Sequence, residues 1–508
     1  MMLDKDNIAH VIPIAASNKS QIPLLHGENT KALCPICREL IEAKIFFREN
    51  RVFMHRECPN HGSHESLIFG DAELYQEIAR FKKPGILPRK FGTQENSGCP
   101  YDCGLCPKHK QHLCLAIIEV NNACNLDCPL CLSNSGTHLV QSGFELTFAQ
   151  VEFMLNNFLS TEERPEVIQF SGGEPSLHPQ ILDFIELAQD KGIDYVLLNT
   201  NGIRIATDDR FLNELARLKP HIYLQFDGFD SRTYRMLRGR EDLLKLKLRA
   251  LNRLAEVDVR AVLVPAIESG VNEHEIGPIV EFGLSHPAVF GVSFHSAFRA
   301  QRHLPADPMT RITTPDILKA LEEQTDGLFK LSDFIPVPCC NPTCGFSTYA
   351  ILNGDDVIPI PRVLDVDQYL SYLENRTMPG LEADLILTLE ALWSASAIAG
   401  TENLANRVQH IMRNTRFPKR NEERLATRCS ACQSNLPLSE HSPRELAKHV
   451  FMITTRDFMD TWTFNTNDIV KCCIGVLVPD GRTIPFCAYN TMGYRESVLD
   501  ILSQEPQA

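Results

Sequence analysis

Two stretches of the sequence carry the same cysteine spacing, Cys-x3-Cys-x2-Cys. They are, in order, Cys99, Cys103 and Cys106, and then Cys124, Cys128 and Cys131. Three thiolates at this spacing can bind three irons of a [4Fe–4S] cluster. The chain has 18 cysteines, and most of them stand in such groups rather than scattered as in a small disulfide-bonded protein. Metal binding is therefore the favoured interpretation.

The surroundings of the two triplets predict different roles. The second triplet follows a predicted strand, LAIIEVNN, at the end where parallel α/β folds place ligands. No cysteine follows Cys131 until Cys339, so one iron of its cluster would stay open to bind a cofactor. The first triplet is followed eight residues later by Cys114. Four thiolates would close that cluster, which would then carry electrons.

Polar residues follow three further predicted strands. In FSGGEP, Gly172 and Gly173 allow the backbone to approach a ligand closely, and the carboxylate of Glu174, before Pro175, can accept hydrogen bonds from an ammonium group. The other candidates for contacts with a cofactor are Asn199, Thr200, Asn201, Gln225 and Asp227. Asn-Gly and Asp-Gly also favour turns, and that alternative stays open for the last five.

The two ends of the chain contain further candidate ligands. A predicted hairpin near the N-terminus is flanked by Cys34, Cys37, Cys58 and His61, which predict a zinc-ribbon-like or rubredoxin-like site for Zn²⁺ or a single iron. His55 and His64 are alternatives to His61, and two turns with spare thiols are the non-metal alternative. The C-terminal part contributes Cys339, Cys340, Cys344, Cys472, Cys473 and Cys487, and also Cys429 and Cys432, whose role is open.

Between residues 115 and 300 predicted strands and helices alternate, as in LTFAQVEFMLNNFLS, a predicted helix with Thr147 as N-cap. This alternation predicts parallel strands in a barrel or an open sheet. We expect four segments: a metal-binding unit (1–80), an auxiliary-cluster segment (81–118), a core barrel (119–335) and a C-terminal auxiliary-cluster domain (336–508).

Composition limits the class of protein. The net charge of −14 over 508 residues argues against a nucleic-acid-binding surface. The first thirty residues lack the pattern of a secretory signal, and no apolar run reaches the roughly 18 residues that span a bilayer. We expect a cytoplasmic protein with at most peripheral contact with a membrane.

CNLDCPLC, followed by a strand that ends in SGGEP, resembles the radical S-adenosylmethionine (radical SAM) superfamily. The resemblance implies a full or partial (β/α) barrel. It also implies that Cys124, Cys128 and Cys131 hold a [4Fe–4S] cluster whose open iron binds the amino and carboxylate groups of SAM, with the GGEP strand against that amino group. Reductive cleavage of SAM then gives a 5′-deoxyadenosyl radical, which abstracts hydrogen from an unactivated C–H bond.

The cysteine motifs at both ends resemble a subgroup that includes tetraether lipid synthases and 7,8-dihydro-6-hydroxymethylpterin dimethyltransferases. This resemblance implies about three [4Fe–4S] clusters and a rubredoxin-like iron near the N-terminus. The first auxiliary cluster would use Cys99, Cys103, Cys106 and Cys114. The second would use Cys339, Cys344, one of Cys472 and Cys473, and Cys487.

The leading hypothesis is an enzyme that forms C–C bonds at unactivated carbons, as in joining two lipid tails. The alternative is a radical methyltransferase that acts on a pterin or another small molecule. Peptide modification and a non-catalytic electron carrier are less favoured, because no leader-binding module is evident and the open triplet precedes GGEP. The partners expected are a lipid or small-molecule substrate and an external electron donor such as flavodoxin or ferredoxin.

Overall fold

The computed structural model describes residues 27–362 and 450–504, apart from positions 142, 163, 164, 194, 306, 338, 354 and 355. Its strands are β1 (Asn29–Leu33), β2 (Leu40–Arg48), β3 (Arg51–Cys58), β4 (Gly62–Phe69), β5 (Leu115–Asn121), β6 (Val167–Gly172), β7 (Tyr195–Thr200), β8 (His221–Gln225), β9 (Ala261–Val264), β10 (Ala266–Ile267), β11 (Val289–Ser296), β12 (Ile335–Pro336), β13 (Phe346–Asn353), β14 (Asp356–Pro359), β15 (Val450–Arg456), β16 (Ile474–Leu477) and β17 (Thr483–Pro485).

The α-helices of the same residues are α1 (Ala72–Glu77), α2 (Phe148–Thr161), α3 (Ile181–Asp190), α4 (Ile203–Thr207), α5 (Asp209–Leu218), α6 (Ser231–Arg238), α7 (Leu243–Glu256), α8 (Ile276–Ser285), α9 (Thr314–Gln324), α10 (Thr466–Ile469), α11 (Phe486–Thr491) and α12 (Tyr494–Gln504). None of the helices in this described part of the chain is long and apolar enough to cross a membrane.

Helix α2 illustrates how the local sequence forms these elements. The Thr147 side chain accepts a hydrogen bond from the Gln150 backbone N–H, and the Gln150 side chain accepts one from the Thr147 backbone, which completes a capping box. Val151, Met154 and Phe158 lie on one buried face of the helix, at the spacing of an amphipathic helix. The predicted helix and its N-cap are confirmed.

The strands form two sheets. Strands β1 to β4 make an antiparallel sheet in chain order, which includes the predicted hairpin of β2 and β3. The second sheet has the order β12-β13-β15-β11-β9-β8-β7-β6-β5-β16-β17, and it is parallel from β15 to β16. Alternating strands and helices with short connections produce this arrangement.

The second sheet curls into a partial barrel. Met452 on β15 and Ile474 on β16 come from opposite ends of the parallel series, yet both line one cavity together with residues of the strands between them. The predicted α/β class and partial barrel are confirmed. β15 and β16 come from the predicted C-terminal segment but belong to the barrel sheet, and the division into four segments stays a prediction.

Candidate active site

The second cysteine triplet lies in the loop that follows β5. All three of its cysteines line a cavity of about 290 Å³ inside the barrel. Backbone hydrogen bonds fix the loop: the Leu130 N–H donates to the Leu237 carbonyl at 3.2 Å, and Cys131 exchanges two bonds with Arg302 at 2.9 and 3.1 Å. The sheet therefore presents the three thiols at one end of the cavity, as the sequence predicts.

The electrostatic environment differs among these three thiols. Burial raises the pKa of Cys124 to about 12 and also raises the pKa of Cys128. Burial also raises the pKa of Cys131, but hydrogen bonds from Ser133 and Arg302 outweigh it and lower this pKa overall. Binding to a metal deprotonates thiols. Three thiols that share one cavity end fit an iron–sulfur cluster with one open iron, because the donor set stops at three.

The two glycines of GGEP serve the approach of two backbone segments to each other. Gly172 has a φ of +135°, and a Cβ at Gly172 or Gly173 would collide with the carbonyl oxygen of Asn121 or Ala123, respectively. The Gly173 N–H donates to the Asn121 carbonyl at 2.9 Å, and the Glu174 N–H donates to the Ala123 carbonyl at 2.8 Å. The glycines thus hold GGEP against the start of the cysteine loop, a role that the sequence analysis did not predict.

The carboxylate of Glu174 is buried and lines the cavity. It accepts hydrogen bonds from the Thr200 hydroxyl at 2.6 Å, the Asn201 N–H at 2.7 Å and the Ser176 N–H at 3.1 Å. These bonds tie the end of β6 to the end of β7. A carboxylate has about four acceptor positions, so the geometry leaves capacity for the predicted contact with an ammonium group.

Most of the other predicted cofactor contacts lie at the same cavity. Asn199, Thr200, Asn201 and Gln225 line it. The side chain of Asn201 donates to Asn125 Oδ1 in the cysteine loop at 2.6 Å. Pro175 is buried at the start of a short 3-10 helix, Pro175–Leu177, and is not among the residues that line the cavity.

Asp227 lies behind the cavity wall rather than on it. Its carboxylate accepts two hydrogen bonds from Arg238, at 2.8 and 2.7 Å, and one from the Ala266 N–H at 3.1 Å. Arg238 lines the cavity and donates to the Leu130 carbonyl, inside the cysteine loop, at 3.2 Å. Asp227 therefore positions Arg238, and a direct contact of Asp227 with the cofactor remains only a prediction.

Two functional candidates escaped the sequence analysis. Arg238 ends α6 just before Gly239, and no motif marks it. Lys247 on α7 is fully buried, donates to Gln225 Oε1 at 2.8 Å and to the Asn201 carbonyl, and so joins the ends of β7 and β8. Burial lowers the pKa of Lys247 to about 8. A lysine on the apolar stripe of an amphipathic helix was the available signal.

The N-terminal candidate ligands converge. One ligand atom from each of Cys34, Cys37, Cys58 and His61 lies within 4.8 Å of the others. His61 Nδ1 is 3.7 Å from Cys34 Sγ and 3.5 Å from Cys58 Sγ, because the turn Cys58–His61 folds back on itself. The alternatives His55 and His64 are not in this group. Three thiolates and one imidazole fit a tetrahedral Zn²⁺ site.

The first triplet lies in a separate loop. Cys99, Cys103 and Cys106 line one small cavity. The Asp102 carboxylate accepts three backbone N–H bonds at 2.6 to 2.8 Å inside this loop. The Tyr494 hydroxyl on α12 accepts a hydrogen bond from the Cys103 N–H at 3.1 Å and donates to the backbone of the same loop. The C-terminal helix thus fixes the first triplet.

The predicted grouping of Cys114 with the first triplet is not what the structure shows. Cys114 lies with Cys339 and Cys473, their sulfur atoms all within 4.8 Å of one another. The reason is the register of the sheet: Leu115 pairs with Ile474 in parallel, and the Cys114 N–H donates to the Cys473 carbonyl at 2.9 Å. This set, Cys114, Cys339 and Cys473, is called the C-terminal cysteine group below.

The remaining cysteines surround that group. Cys340, which the sequence analysis left out of the ligand set, lies beside Cys339 and Cys473, and Cys344 hydrogen bonds with Cys340. Cys472 instead hydrogen bonds with Cys487. The adjacent pair Cys472 and Cys473 therefore points to two different sets of thiols. Cys429 and Cys432 lie outside the described residues.

Comparison with known proteins agrees with the fold and the site: the chain belongs to the radical SAM superfamily. The superfamily model matches residues 118–283, and a model described as the HMPTM N-terminal zinc ribbon domain matches residues 27–70. The chain is 32% identical to 7,8-dihydro-6-hydroxymethylpterin dimethyltransferase of Methanocaldococcus jannaschii, over 92% of this chain and 94% of that protein. This membership identifies the chain as an enzyme that uses SAM and a [4Fe–4S] cluster.

Other matches cover less of the chain. GTP 3′,8-cyclase of Chlorobaculum tepidum is 30% identical over 33% of this chain and 49% of its own length. Among solved structures, Streptococcus suis SuiB bound to S-adenosylmethionine matches with a TM-score of 0.34 and 16% identity, over 42% of this chain and 47% of that chain. The present chain thus spans about half the length of these two proteins.

Proposed function

We propose that this enzyme forms C–C bonds between unactivated carbons of hydrocarbon chains, as in the coupling of two lipid tails. The observation that carries the proposal is the wall of the barrel cavity. Aliphatic side chains from several strands cover much of it, namely Leu115, Ile117, Leu197, Val264, Met452 and Ile474. Apolar walls favour apolar ligands, because both surfaces leave water on binding.

The position of the cysteine groups supports this proposal. Cys114 directly precedes β5 and Cys124 follows it, so the two groups stand at opposite ends of a seven-residue strand, which is about 23 Å long. Leu115, Ile117 and Glu119 alternate along β5 and face the cavity between them. Coupling two unactivated carbons requires two hydrogen abstractions, and a second redox site next to the cavity suits that requirement.

The cofactors follow from these groups. When bound to Cys124, Cys128 and Cys131, a [4Fe–4S] cluster with SAM would supply the 5′-deoxyadenosyl radical. The chain's own contribution is to orient SAM through the GGEP strand and to exclude water from the cavity. We further propose two auxiliary clusters, on the first triplet and the C-terminal cysteine group, and a Zn²⁺ or iron ion at His61. A cytoplasmic location, peripheral membrane contact and reduction by flavodoxin or ferredoxin belong to the same proposal.

Methylation of a pterin is the second candidate, because the relative from Methanocaldococcus jannaschii carries that name. Phe298, Phe458 and Phe486 also line the cavity and offer faces on which a flat ring can stack. Against it, a pterin presents N–H donors along one ring edge, and both carboxylates of the cavity are engaged. Glu119 accepts two hydrogen bonds from Arg495, at 2.6 and 2.7 Å, and Glu174 binds three donors.

Mass spectrometry of cellular products tests the proposal. The gene is expressed anaerobically, beside a Cys128→Ala variant, in cells that make lipids with free chain ends. Coupled chains of doubled length that require Cys128 support the proposal. An unchanged lipid profile together with a methylated pterin that requires Cys128 would favour the second candidate instead.

A further inference from the structure

Five polar side chains form one patch on the wall of the mainly aliphatic cavity: Tyr223, Ser293, His295, Thr454 and Arg456. Ser293 pairs with Thr454, and His295 pairs with Arg456, on the parallel strands β11 and β15. Since alternate residues of a strand face the same side, these four side chains form a continuous block.

Hydrogen bonds connect most of this patch. Ser293 Oγ accepts from the Tyr223 hydroxyl at 2.6 Å and from the Thr454 hydroxyl at 2.9 Å. His295 Nε2 lies 3.2 Å from Ser293 Oγ and 3.1 Å from the Tyr223 hydroxyl. Burial, followed by the charge of Arg456, lowers the pKa of His295 to about 3, so its imidazole is neutral. Arg456 is thus the charged member of the patch.

Arg456 differs from the three other charged residues that line the cavity. Glu119 pairs with Arg495, Arg238 pairs with Asp227, and Glu174 accepts three hydrogen bonds. Arg456 is 8% exposed, and its Nη1 lies 4.0 Å from Cys340 Sγ. Within the described residues, no carboxylate lies within ion-pairing distance of it.

This setting suggests what the patch binds. A guanidinium has five N–H donors in a planar fork that matches the oxygens of a carboxylate or a phosphate. Buried cations are normally paired, since an isolated charge away from water is costly. The thiol of Cys340 takes up one side of the guanidinium and leaves other donors toward the cavity.

We propose that Arg456 binds an anionic oxygen group, a carboxylate or a phosphate, of an amphiphilic substrate whose hydrocarbon part lies along the aliphatic wall. This inference rests on the proposed function and specifies the class of its substrate. The patch then fixes one end of the molecule, which determines the carbon that faces the SAM end of the cavity. Tyr223, Ser293 and His295 orient the anion as neutral hydrogen-bonding partners.

Calorimetric titration of the full-length, anaerobically reconstituted enzyme with short probes tests the inference. We expect octanoate or octyl phosphate to bind at least tenfold more tightly than 1-octanol, and the tighter of the two anions identifies the group. Arg456→Gln should weaken binding of that anion at least tenfold and leave 1-octanol unchanged, while Arg456→Lys should retain part of the affinity. Arg217→Gln removes an equal charge from the exposed face of α5 and should change nothing.

Equal binding of all three probes, binding of neither anion, or an unchanged affinity in Arg456→Gln would overturn the inference. Iron content and circular dichroism establish that the variants are folded, and Arg456→Lys carries the test if Arg456→Gln is not. The proposed function fails separately: coupled lipids without Arg456-dependent anion binding overturn this inference alone. Anion binding through Arg456 without coupled lipids would overturn the lipid-coupling reaction and keep the binding site.

Discussion

Replacing Asp227 with asparagine removes a buried charge while keeping the shape of the side chain. The carboxylate of Asp227 is fully buried, and the Arg238 side chain is 11% exposed. The variant leaves the Arg238 cation buried without its counter-ion. Removal of one partner from a buried ion pair costs about 3–5 kcal/mol, which is a large part of the roughly 5–15 kcal/mol by which folded proteins are stable.

Urea unfolding under reducing conditions, followed by circular dichroism, measures this loss. Glu186→Gln is the matched control, because Glu186 forms an exposed ion pair with Arg217 at 2.6 Å and such pairs contribute about 0–1 kcal/mol. The double variant Asp227→Asn/Arg238→Met should lose less stability than the two single variants added together. A loss below 1 kcal/mol in Asp227→Asn, or full additivity, would refute the reasoning.

Three further outcomes are expected. His61→Ala should lower the zinc or iron content at the N-terminal site and His64→Ala should not, as measured by elemental analysis; equal losses would contradict the ligand set. Cys114→Ala and Cys106→Ala should remove different signals from the electron paramagnetic resonance spectrum of the reduced protein; loss of the same signal would return Cys114 to the first triplet. Because burial lowers the pKa of Lys247 to about 8, below its ordinary value of about 10.4, the unfolded chain binds this proton more tightly, and stability should rise between about pH 8 and pH 10.4. Lys247→Met should flatten that rise in urea unfolding, and an unchanged slope would show that Lys247 does not titrate in this range.

Local patterns in the sequence predicted the elements that build the barrel. The alternation of strands and helices, the cap at Thr147 and the strand before Cys124 depend on neighbouring residues, so they can be read from short windows. The convergence of His61 with the N-terminal thiols was also within reach, because His61 lies in the same turn as Cys58. Sequence spacing alone could not choose it over His55 or His64, since the choice depends on which way the strands β3 and β4 turn.

Contacts distant in sequence were not predictable in this way. Cys114 belongs with Cys339 and Cys473 because β5 pairs with β16, more than 350 residues later in the chain. The register of that pairing is set by packing in three dimensions, and spacing along the chain contains no signal of it. The same holds for the patch around Arg456, whose members come from β8, β11 and β15.

The measurement that tests the assignment of the active site most directly is 5′-deoxyadenosine formation from SAM in anaerobic, reconstituted enzyme with a strong reductant. Cys128→Ala should abolish it, because this thiol lies at the open cavity beside the GGEP strand. Cys103→Ala, in the separate loop held by Tyr494, should retain it. Cleavage of SAM by the Cys128→Ala variant and its loss in the Cys103→Ala variant would contradict the account.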